Sequence, residues 1–352
     1  MAIVNSVITQ HAFAAAMQEL SAFPSNGSRI EEIALAVSGG VDSMCMAYLM
    51  HSWAQQNSAK IVVLIVDHRL RTESTAEAIT VRNWLEANGI EAHILPWISG
   101  RPKSNIHQLA RTERYRLLTN YCKANNISRI VTAHNADDQA ETIMMRIARG
   151  TGLTGLTGIK ASGMHNGISV LRPLLQFSRQ QIRVTMEMAG WQWIEDPSNN
   201  DPKYTRTKIR RALQHFPHKE LLNQRCNLLA HNLSRTETYL VQQTENFIKT
   251  YVGTSKSNNG KASITINHQA LCDEHEEIAL RALRAIFQHY VTGLSMDTDG
   301  GDMEAESHPP RLASLERLYQ HLIKGGIANK KAHTMRHCKI WAKGGIISIV
   351  AE

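Results

Sequence analysis

The sequence predicts an α/β protein built around a doubly wound parallel sheet, and two observations carry this prediction. Continuous apolar runs at 33–37 and 60–66 suit strands that are buried on both faces, as parallel strands are. Strand-like and helix-like segments then alternate, which is typical of a parallel sheet covered by helices on either side.

The elements of the first half follow in order along the chain. The predicted strands are 33–37, 60–66, 90–96 and 129–133, and the predicted helices are 9–20, 44–53, 73–88, 105–126 and 137–149. Four glycines within 150–158 predict a flexible loop, either a plain connector or a lid. The segment 170–175 and a helix over 178–189 close this domain.

The second half has a different pattern and predicts a helical region followed by a small α+β module. Its predicted elements are helices over 220–252, 274–290 and 310–324, a strand at 263–266, and two strands within 331–350 around a Lys-Gly-Gly turn. The domain boundaries we predict are 1–205 for the α/β domain, 206–292 for the helical region, 293–310 for an acidic flexible loop, and 311–352 for the module.

Composition limits the class of protein. The 352 residues are 43% hydrophobic and 20% charged, which predicts a packed core, and the net charge of +8 suits a polyanionic partner. The five cysteines form no C-x-x-C pair, so neither a disulfide framework nor a zinc or Fe–S site is expected. We find no signal peptide pattern and no run of 18 apolar residues, and expect a cytoplasmic protein without a membrane span.

The segment that follows the first strand reads Ser38-Gly39-Gly40-Val41-Asp42-Ser43. A glycine turn between a buried strand and a helix places backbone N–H groups and the positive end of the helix dipole at one point, which predicts a phosphate site. An ordinary strand-to-helix turn with a Ser or Asp cap is the alternative. A carboxylate repels phosphate, so Asp42 is explained best if it helps to hold Mg²⁺ beside the phosphates.

Two further strand ends carry polar residues and are expected to meet this loop, namely 67–69 and 134–141. Asp137 and Glu141 are four apart and share a helix face, where they could bind Mg²⁺ or a cationic substrate. Capping of the helix is the simpler interpretation, and for Asp138 alone capping is a sufficient explanation. Arg111 and Arg114 could reach a phosphate or a carboxylate from the preceding helix, or lie on the surface.

A basic region follows the first domain. Residues 201–220 hold six Lys or Arg against two acids, and Arg206 and Arg210 are spaced to share a helix face. A solvated charged face is one interpretation. Contact with phosphates is the other, and it is favoured because the region follows a nucleotide-type domain.

Taken together, the motifs resemble the bacterial tRNA(Ile)-lysidine synthetases of the N-type ATP pyrophosphatase superfamily. They occur in order from 33 to about 211 and include the Ser-Gly-Gly-Val-Asp-Ser loop, Val66–Arg71, Asn105–Tyr115, His134–Thr142, Arg146–Gly152, Arg172-Pro173-Leu174 and Glu195–Asn199. The resemblance is weak beyond that point. It implies that 1–205 is an adenine nucleotide α-hydrolase-like catalytic domain and that the helical region at 206–292 contacts tRNA.

The resemblance also implies a reaction. ATP would adenylate the C2 oxygen of the wobble cytidine in the CAU anticodon of tRNA(Ile), and the ε-amine of free L-lysine would then displace AMP. The implied ATP-binding residues are Ser38, Gly39, Gly40, Val41, Asp42, Ser43, His68 and His134, with Mg²⁺ on Asp42 and Asp138. The implied catalytic residues are Asp42, Asp137, Glu141, Arg111 and Arg114, and the implied tRNA contacts are Arg206, Lys208, Arg210 and Arg211.

One departure and several alternatives remain. The family's Arg-Asn-Arg is here Arg206-Thr207-Lys208, and a lysine lacks the bidentate fork of arginine. A tRNA thiolation enzyme would use the same adenylation but commonly carries paired cysteines. An amidotransferase synthetase would need an N-terminal nucleophilic cysteine, and a non-catalytic nucleotide- or tRNA-binding protein is a further alternative. The sequence does not determine the oligomeric state, and a homodimer is one of the alternatives.

Overall fold

A computed structural model of the chain describes residues 6–20, 32–69, 72–98, 106–195, 205–256, 262–290, 310–323, 332–335 and 338–351. By its internal contacts the chain divides into two units, Met1–Ser234 and Arg235–Glu352. Residues 293–309 of the predicted acidic loop and the Asp-Pro-Ser-Asn segment at 196–199 lie outside the described residues.

The first unit is built around a six-stranded sheet with the order β3-β2-β1-β4-β6-β5. Its strands are β1 (Glu32–Val37), β2 (Lys60–Asp67), β3 (Ala92–Pro96), β4 (Arg129–Thr132), β5 (Ser162–His165) and β6 (Ile168–Leu171). Its helices are α1 (Gln10–Glu19), α2 (Val41–Gln56), α3 (Ser74–Ala87), α4 (Ile106–Ala124), α5 (Ala136–Ala148), α6 (Leu153–Leu156), α7 (Arg179–Ala189) and α8 (Thr205–Gln214), with a 3₁₀ turn at Pro173–Gln176. A ninth helix, α9 (Lys219–Tyr251), runs on into the second unit.

The sheet confirms the predicted doubly wound arrangement. β1 pairs in parallel with β2 on one side and with β4 on the other, so the direction of winding reverses between β1 and β4. Ligands bind at the carboxyl ends of the strands beside such a reversal. One edge differs from the prediction, since β5 is antiparallel to β6 and joins it through a tight turn at Asn166 and Gly167.

The core explains why β1 and the first helix after it are so apolar. Leu35 on β1 and Val63 on β2 are fully buried, and so are Met46, Leu49 and Met50 on α2. These residues belong to one cluster that α7 also covers through Ile182. The burial of α2 fixes its N-terminus at the end of β1, which positions the loop between them.

The second unit contains a five-stranded antiparallel sheet with the order β7-β8-β11-β10-β9. Its elements are β7 (Val252–Lys256), β8 (Ala262–Asn267), α10 (His268–Asp273), α11 (Glu276–Ala285) with a π turn at Ile286–Tyr290, α12 (Leu312–Ile323), β9 (His333–Met335), β10 (Cys338–Lys343) and β11 (Ile346–Ala351). The predicted hairpin around Gly344 is present as β10 and β11. Strands from either side of the predicted acidic loop thus share one sheet.

Among the described residues, no helix combines the length and apolar character that a bilayer span requires.

Candidate active site

The loop between β1 and α2 has the geometry of a phosphate cradle. Gly39 has a φ of +86°, and a Cβ there would lie 2.6 Å from Cγ2 of Val81, so both conformation and space require glycine. Gly40 differs, because it is extended and nothing lies within 4 Å of its Cβ position. Gly40 also offers no side-chain cap, so the backbone N–H groups of the first turn of α2, which begins at Val41, remain available to an anion.

The two serines of the loop hold its shape. Ser43 donates from Oγ to the carbonyl oxygen of Gly40 at 2.9 Å and accepts from the N–H of Ser38 at 3.2 Å. The hydroxyl groups of Ser38 and Ser43 lie 3.3 Å apart. Ser43 is buried whereas Ser38 is exposed, so Ser38 is the hydroxyl that a ligand meets first.

The predicted convergence of three strand ends follows from the sheet order, since β1 lies between β2 and β4. The loop at 38–43 therefore lies next to His68, which follows β2, and to His134 and α5, which follow β4. Asn135 caps α5 by accepting from the N–H of Asp138 at 3.0 Å, and Asp138 Oδ2 accepts from the N–H of Asn135 at 3.2 Å. The predicted capping role of Asp138 is thus present.

Asp138 also faces the cations of the site, together with Glu141 one turn later on α5. Arg206 donates from Nη2 to Asp138 Oδ1 at 2.9 Å and from Nε to Glu141 Oε2 at 2.7 Å. Arg210 donates to both oxygens of Glu141, at 2.6 and 3.2 Å. Arg179 completes the group at 3.2 Å from Asp138 and 3.7 Å from Glu141. Two buried carboxylates therefore face three guanidinium groups.

Asp42 joins this group from the phosphate loop. Its Oδ2 lies 3.5 Å from Nη2 of Arg179, and its Oδ1 is buried without a hydrogen bond of ordinary geometry, although the side-chain amide of Asn135 acts to lower the pKa of the carboxyl group. Burial raises the pKa of Asp42 to about 6; Arg179 opposes the rise and the charge of Asp138 adds to it. An unsatisfied carboxylate oxygen beside a second carboxylate is a position that a hard cation would fill.

The partners of Asp137 differ from those of Glu141. Its carboxylate accepts from the backbone N–H of Arg179 at 2.9 Å and from the amide of Asn223 at 3.1 Å, and it lies 3.2 Å from the ammonium of Lys219. Burial by itself would raise the pKa of Asp137, but the Arg179 N–H and Lys219 hold it below the ordinary value. Asp137 therefore joins α5 to α7 and α9.

The histidines and arginines form the basic side of the site. Burial and, after it, the guanidinium groups of Arg172, Arg111, Arg206 and Arg114 together lower the pKa of His134 to about 3. His134 is consequently neutral, with Nδ1 at 3.1 Å from the hydroxyl of Thr132.

His68 has a similar environment at the end of β2. Burial lowers its pKa to about 4, and Arg114, which donates from Nε to His68 Nε2 at 3.3 Å, contributes to the shift. Arg111 lies over the ring of Tyr115, with 5.5 Å from its guanidinium carbon to the ring centroid. Neutral imidazoles beside fixed guanidinium groups suit an anionic ligand that also offers hydrogen-bonding groups.

The basic side chains of α8 lie in two different environments. Arg206 and Arg210 share a face, as their spacing predicts, and that face meets Asp138 and Glu141. Lys208 and Arg211 are exposed. The four residues predicted to contact tRNA therefore do not form a single outward-facing patch.

Comparison with known proteins agrees with this geometry. Residues 9–216 match the PP-loop domain family. A tRNA(Ile)-lysidine synthase of Wolbachia pipientis wMel is 34% identical over 323 residues, which cover 91% of this chain and 70% of that protein. The chain belongs to the tRNA(Ile)-lysidine synthase family. The enzyme of the same name from the Wolbachia of Brugia malayi is 32% identical over the same shares of both chains.

One solved structure is similar to this lysidine synthase family member in fold. The U34-tRNA thiolase NcsA from Methanococcus maripaludis, solved with its [4Fe-4S] cluster, matches with a TM-score of 0.50. It is 18% identical and covers 63% of this chain and 78% of its own. The likeness supports a PP-loop α/β architecture.

Three residues of the site were missed by sequence reasoning. Arg179 contacts Asp42, Asp138 and Glu141 from the first position of α7, where only a Ser cap precedes it. Arg172 lies in a motif that the lysidine synthetase resemblance includes. Nothing in the sequence around Arg172 indicates that its charge acts on His134. Asn135 is buried with an unpartnered amide nitrogen, although its position as a helix cap was readable from the sequence.

Proposed function

We propose that this member of the tRNA(Ile)-lysidine synthase family joins L-lysine to the wobble cytidine in the CAU anticodon of tRNA(Ile). ATP adenylates the C2 oxygen of that base and pyrophosphate leaves; the ε-ammonium of lysine then loses a proton, and the free amine attacks C2 with release of AMP. The single observation that carries the proposal is the placement of the phosphate loop beside a buried carboxylate pair, Asp138 and Glu141.

The loop supports the ATP half of the reaction. Gly39 lets the backbone turn against a ligand, and the uncapped N-terminus of α2 favours the pyrophosphate of ATP. His68 and His134, both neutral, are available to hydrogen-bond the nucleotide from the adjoining strand ends. Ser38 supplies an exposed hydroxyl donor at the mouth of the loop.

The carboxylates at the loop fit Mg²⁺. The described residues contain no group of three or more His, Cys, Asp or Glu that could hold a metal, so phosphate oxygens would complete its coordination. Asp42, through its unpartnered Oδ1, and Asp138 would hold it. When bound there, Mg²⁺ would offset the negative charge of the triphosphate.

The lysine half rests on Glu141. An ammonium needs a carboxylate that is fixed and shielded from water, and Glu141 is 2% exposed. Asp137 was grouped with Glu141 from its spacing, and it faces Lys219 and Asn223 instead. We therefore assign amine recognition to Glu141, and the joining of helices α5, α7 and α9 to Asp137.

Positioning supplies the rest of the chemistry. The amine, the adenylated carbon and the departing AMP must meet in one place, and the site offers anionic and cationic sides next to each other. Arg111 and Arg114 on the cationic side would face the phosphates or the activated base. Exposed Lys208 and Arg211 would contact the tRNA backbone, within the helical region proposed at 206–292. Because ATP and tRNA are both substrates, the cytoplasm is the proposed location.

Incorporation of labelled lysine tests the proposal. The protein is incubated with a tRNA(Ile) transcript bearing CAU, with and without ATP, and with a transcript whose wobble base is changed to uridine as the control. We expect ATP-dependent label in the CAU transcript alone. Label that is absent, or that needs no ATP, contradicts the proposal.

A further inference from the structure

Among the arginines that face Asp138 and Glu141, Arg210 forms the shortest contact, and it forms it with Glu141. Arg210 donates from Nε to Glu141 Oε1 at 2.6 Å and from Nη2 to Oε2 at 3.2 Å. The side chain of Glu141 is 2% exposed and that of Arg210 is 23% exposed. The carboxylate is therefore inaccessible while its guanidinium partner retains a path to solvent.

All four carboxylate oxygens of Asp138 and Glu141 have partners within the protein. Glu141 Oε1 is contacted by Arg210 and Arg179, and Glu141 Oε2 by Arg206 and Arg210. Asp138 Oδ1 is contacted by Arg206 and Arg179, and Asp138 Oδ2 accepts from the N–H of Asn135. An incoming ammonium meets no open oxygen at either carboxylate.

Adding a fourth cation to this group would be unfavourable. Three guanidinium groups already face Asp138, Glu141 and Asp42, so the charges balance. A further positive charge at this buried position would be unpaired, and an unpaired buried charge costs several kilocalories per mole. Exchange of one cation for another keeps the balance.

Arg210 has the fewest contacts to lose. Arg206 bridges Glu141 and Asp138, and Arg179 bridges those two and Asp42, whereas Arg210 contacts Glu141 alone among the acids of the site. We propose that Arg210 occupies the ammonium position of the amine substrate on Glu141, and that the substrate binds by displacing it. The inference rests on the proposed function, because it takes lysine as the amine.

Displacement has a consequence for the second substrate. Arg210 shares α8 with Lys208 and Arg211, which are exposed, and a guanidinium released from Glu141 would lose its carboxylate partner and add a cation to that helix. Such a group favours an RNA phosphate. Lysine binding thereby adds one cation to the surface of α8, and the two substrates reinforce each other.

Calorimetric titration of L-lysine into the protein tests the exchange. We compare the wild type, Arg210→Ala, and Arg183→Ala, which removes an equal charge from an exposed pair with Glu187 and Glu195. In Arg210→Ala the lysine no longer has to displace a guanidinium from Glu141. We therefore expect lysine to bind about tenfold more tightly, which corresponds to the free energy of one charge-assisted hydrogen bond. Arg183→Ala should leave lysine affinity unchanged. Unchanged or weaker binding by Arg210→Ala overturns the inference.

A measurement on the wild type covers the case in which Arg210→Ala does not fold. The salt dependence of tRNA(Ile) binding is determined with and without saturating lysine. One released guanidinium should steepen the slope of log K against log salt by about 0.7 to 0.9. Equal slopes overturn the inference. If the wild type still forms lysidine, the proposed function stands; if it neither binds lysine nor forms product, both fail.

Discussion

The guanidinium of Arg179 lies 3.5 Å from the carboxylate of Asp42, although 137 residues separate them in the chain. The same guanidinium lies 3.2 Å from Asp138. Arg179 thus connects the phosphate loop on α2 to the carboxylates on α5. The proposed ATP and lysine halves of the site meet at this residue, and the predictions below separate them.

Asp42→Asn tests the ATP half. Asparagine keeps the volume but removes the charge proposed to act beside the phosphates. We expect product formation to fall about 100-fold or more, while tRNA binding, measured by filter retention, remains. The thermal unfolding midpoint should not fall, because a carboxylate whose pKa burial raises to about 6 does not favour folding. Full activity of Asp42→Asn would remove this residue from the mechanism.

Glu141→Gln tests the lysine half. The amide cannot balance an ammonium, so the KM for lysine should rise about tenfold or more, with a much smaller change in the KM for ATP. Glu187→Gln is the matched control, because Glu187 is exposed and pairs only with Arg183 among the described residues. If lysine KM is the same in both variants, Glu141 does not bind the amine.

Asp137→Asn tests the structural assignment of Asp137. Loss of the charge leaves Lys219 and the N–H of Arg179 with a weaker acceptor at a buried position. We expect the free energy of unfolding to drop by about 2–4 kcal/mol at pH 7, measured by urea titration. A variant that unfolds like the wild type yet forms no product would restore Asp137 to the catalytic group.

The loss of unfolding free energy in Asp137→Asn should depend on pH in one direction. Because the pKa of Asp137 is lower in the folded protein, its stabilisation is complete above the unfolded value of about 3.9 and disappears as the pH falls through the folded value. The difference between the wild type and Asp137→Asn should therefore be constant from about pH 7 to 5 and shrink below about pH 4. A difference that grows on acidification would contradict the assignment.

Gly39→Ala and Gly40→Ala form a matched pair in the loop. Alanine at position 39 combines a φ of +86° with a Cβ 2.6 Å from Val81, so we expect a loss of about 1–3 kcal/mol in unfolding free energy. Alanine at position 40 meets nothing within 4 Å and has a permitted conformation. Equal stability of the two variants, by chemical denaturation, would show that the turn of Gly39 is not required.

The sequence predicted the strands of the parallel sheet because their signals are local. The apolar runs of β1 and β2, the glycine turn after β1 and the alternation with helices all lie within short windows. β7 was missed because it follows α9 at Val252 without a glycine or proline between them. β5 is short and mostly exposed, so it carries no apolar pattern.

The site was predictable to the extent that its residues lie at strand ends. Asp42, His68 and His134 follow three neighbouring strands, and sheet topology brings them together. The pairing of Arg206 and Arg210 with Glu141 was not predictable, because 65 and 69 residues separate them and their charge suits RNA equally well. The spacing of residues along a helix identifies which of them share a face, but it does not identify the residues of other elements that this face contacts.

Identification of the modified nucleoside tests the central claim most directly. A tRNA(Ile) transcript bearing CAU is treated with the wild-type protein, ATP and L-lysine, and its nucleosides are separated by liquid chromatography and mass spectrometry. The account predicts that the wobble cytidine gains the mass of lysine less one water, with one AMP released for each. An unmodified cytidine, or a cytidine that has gained sulfur, would contradict it.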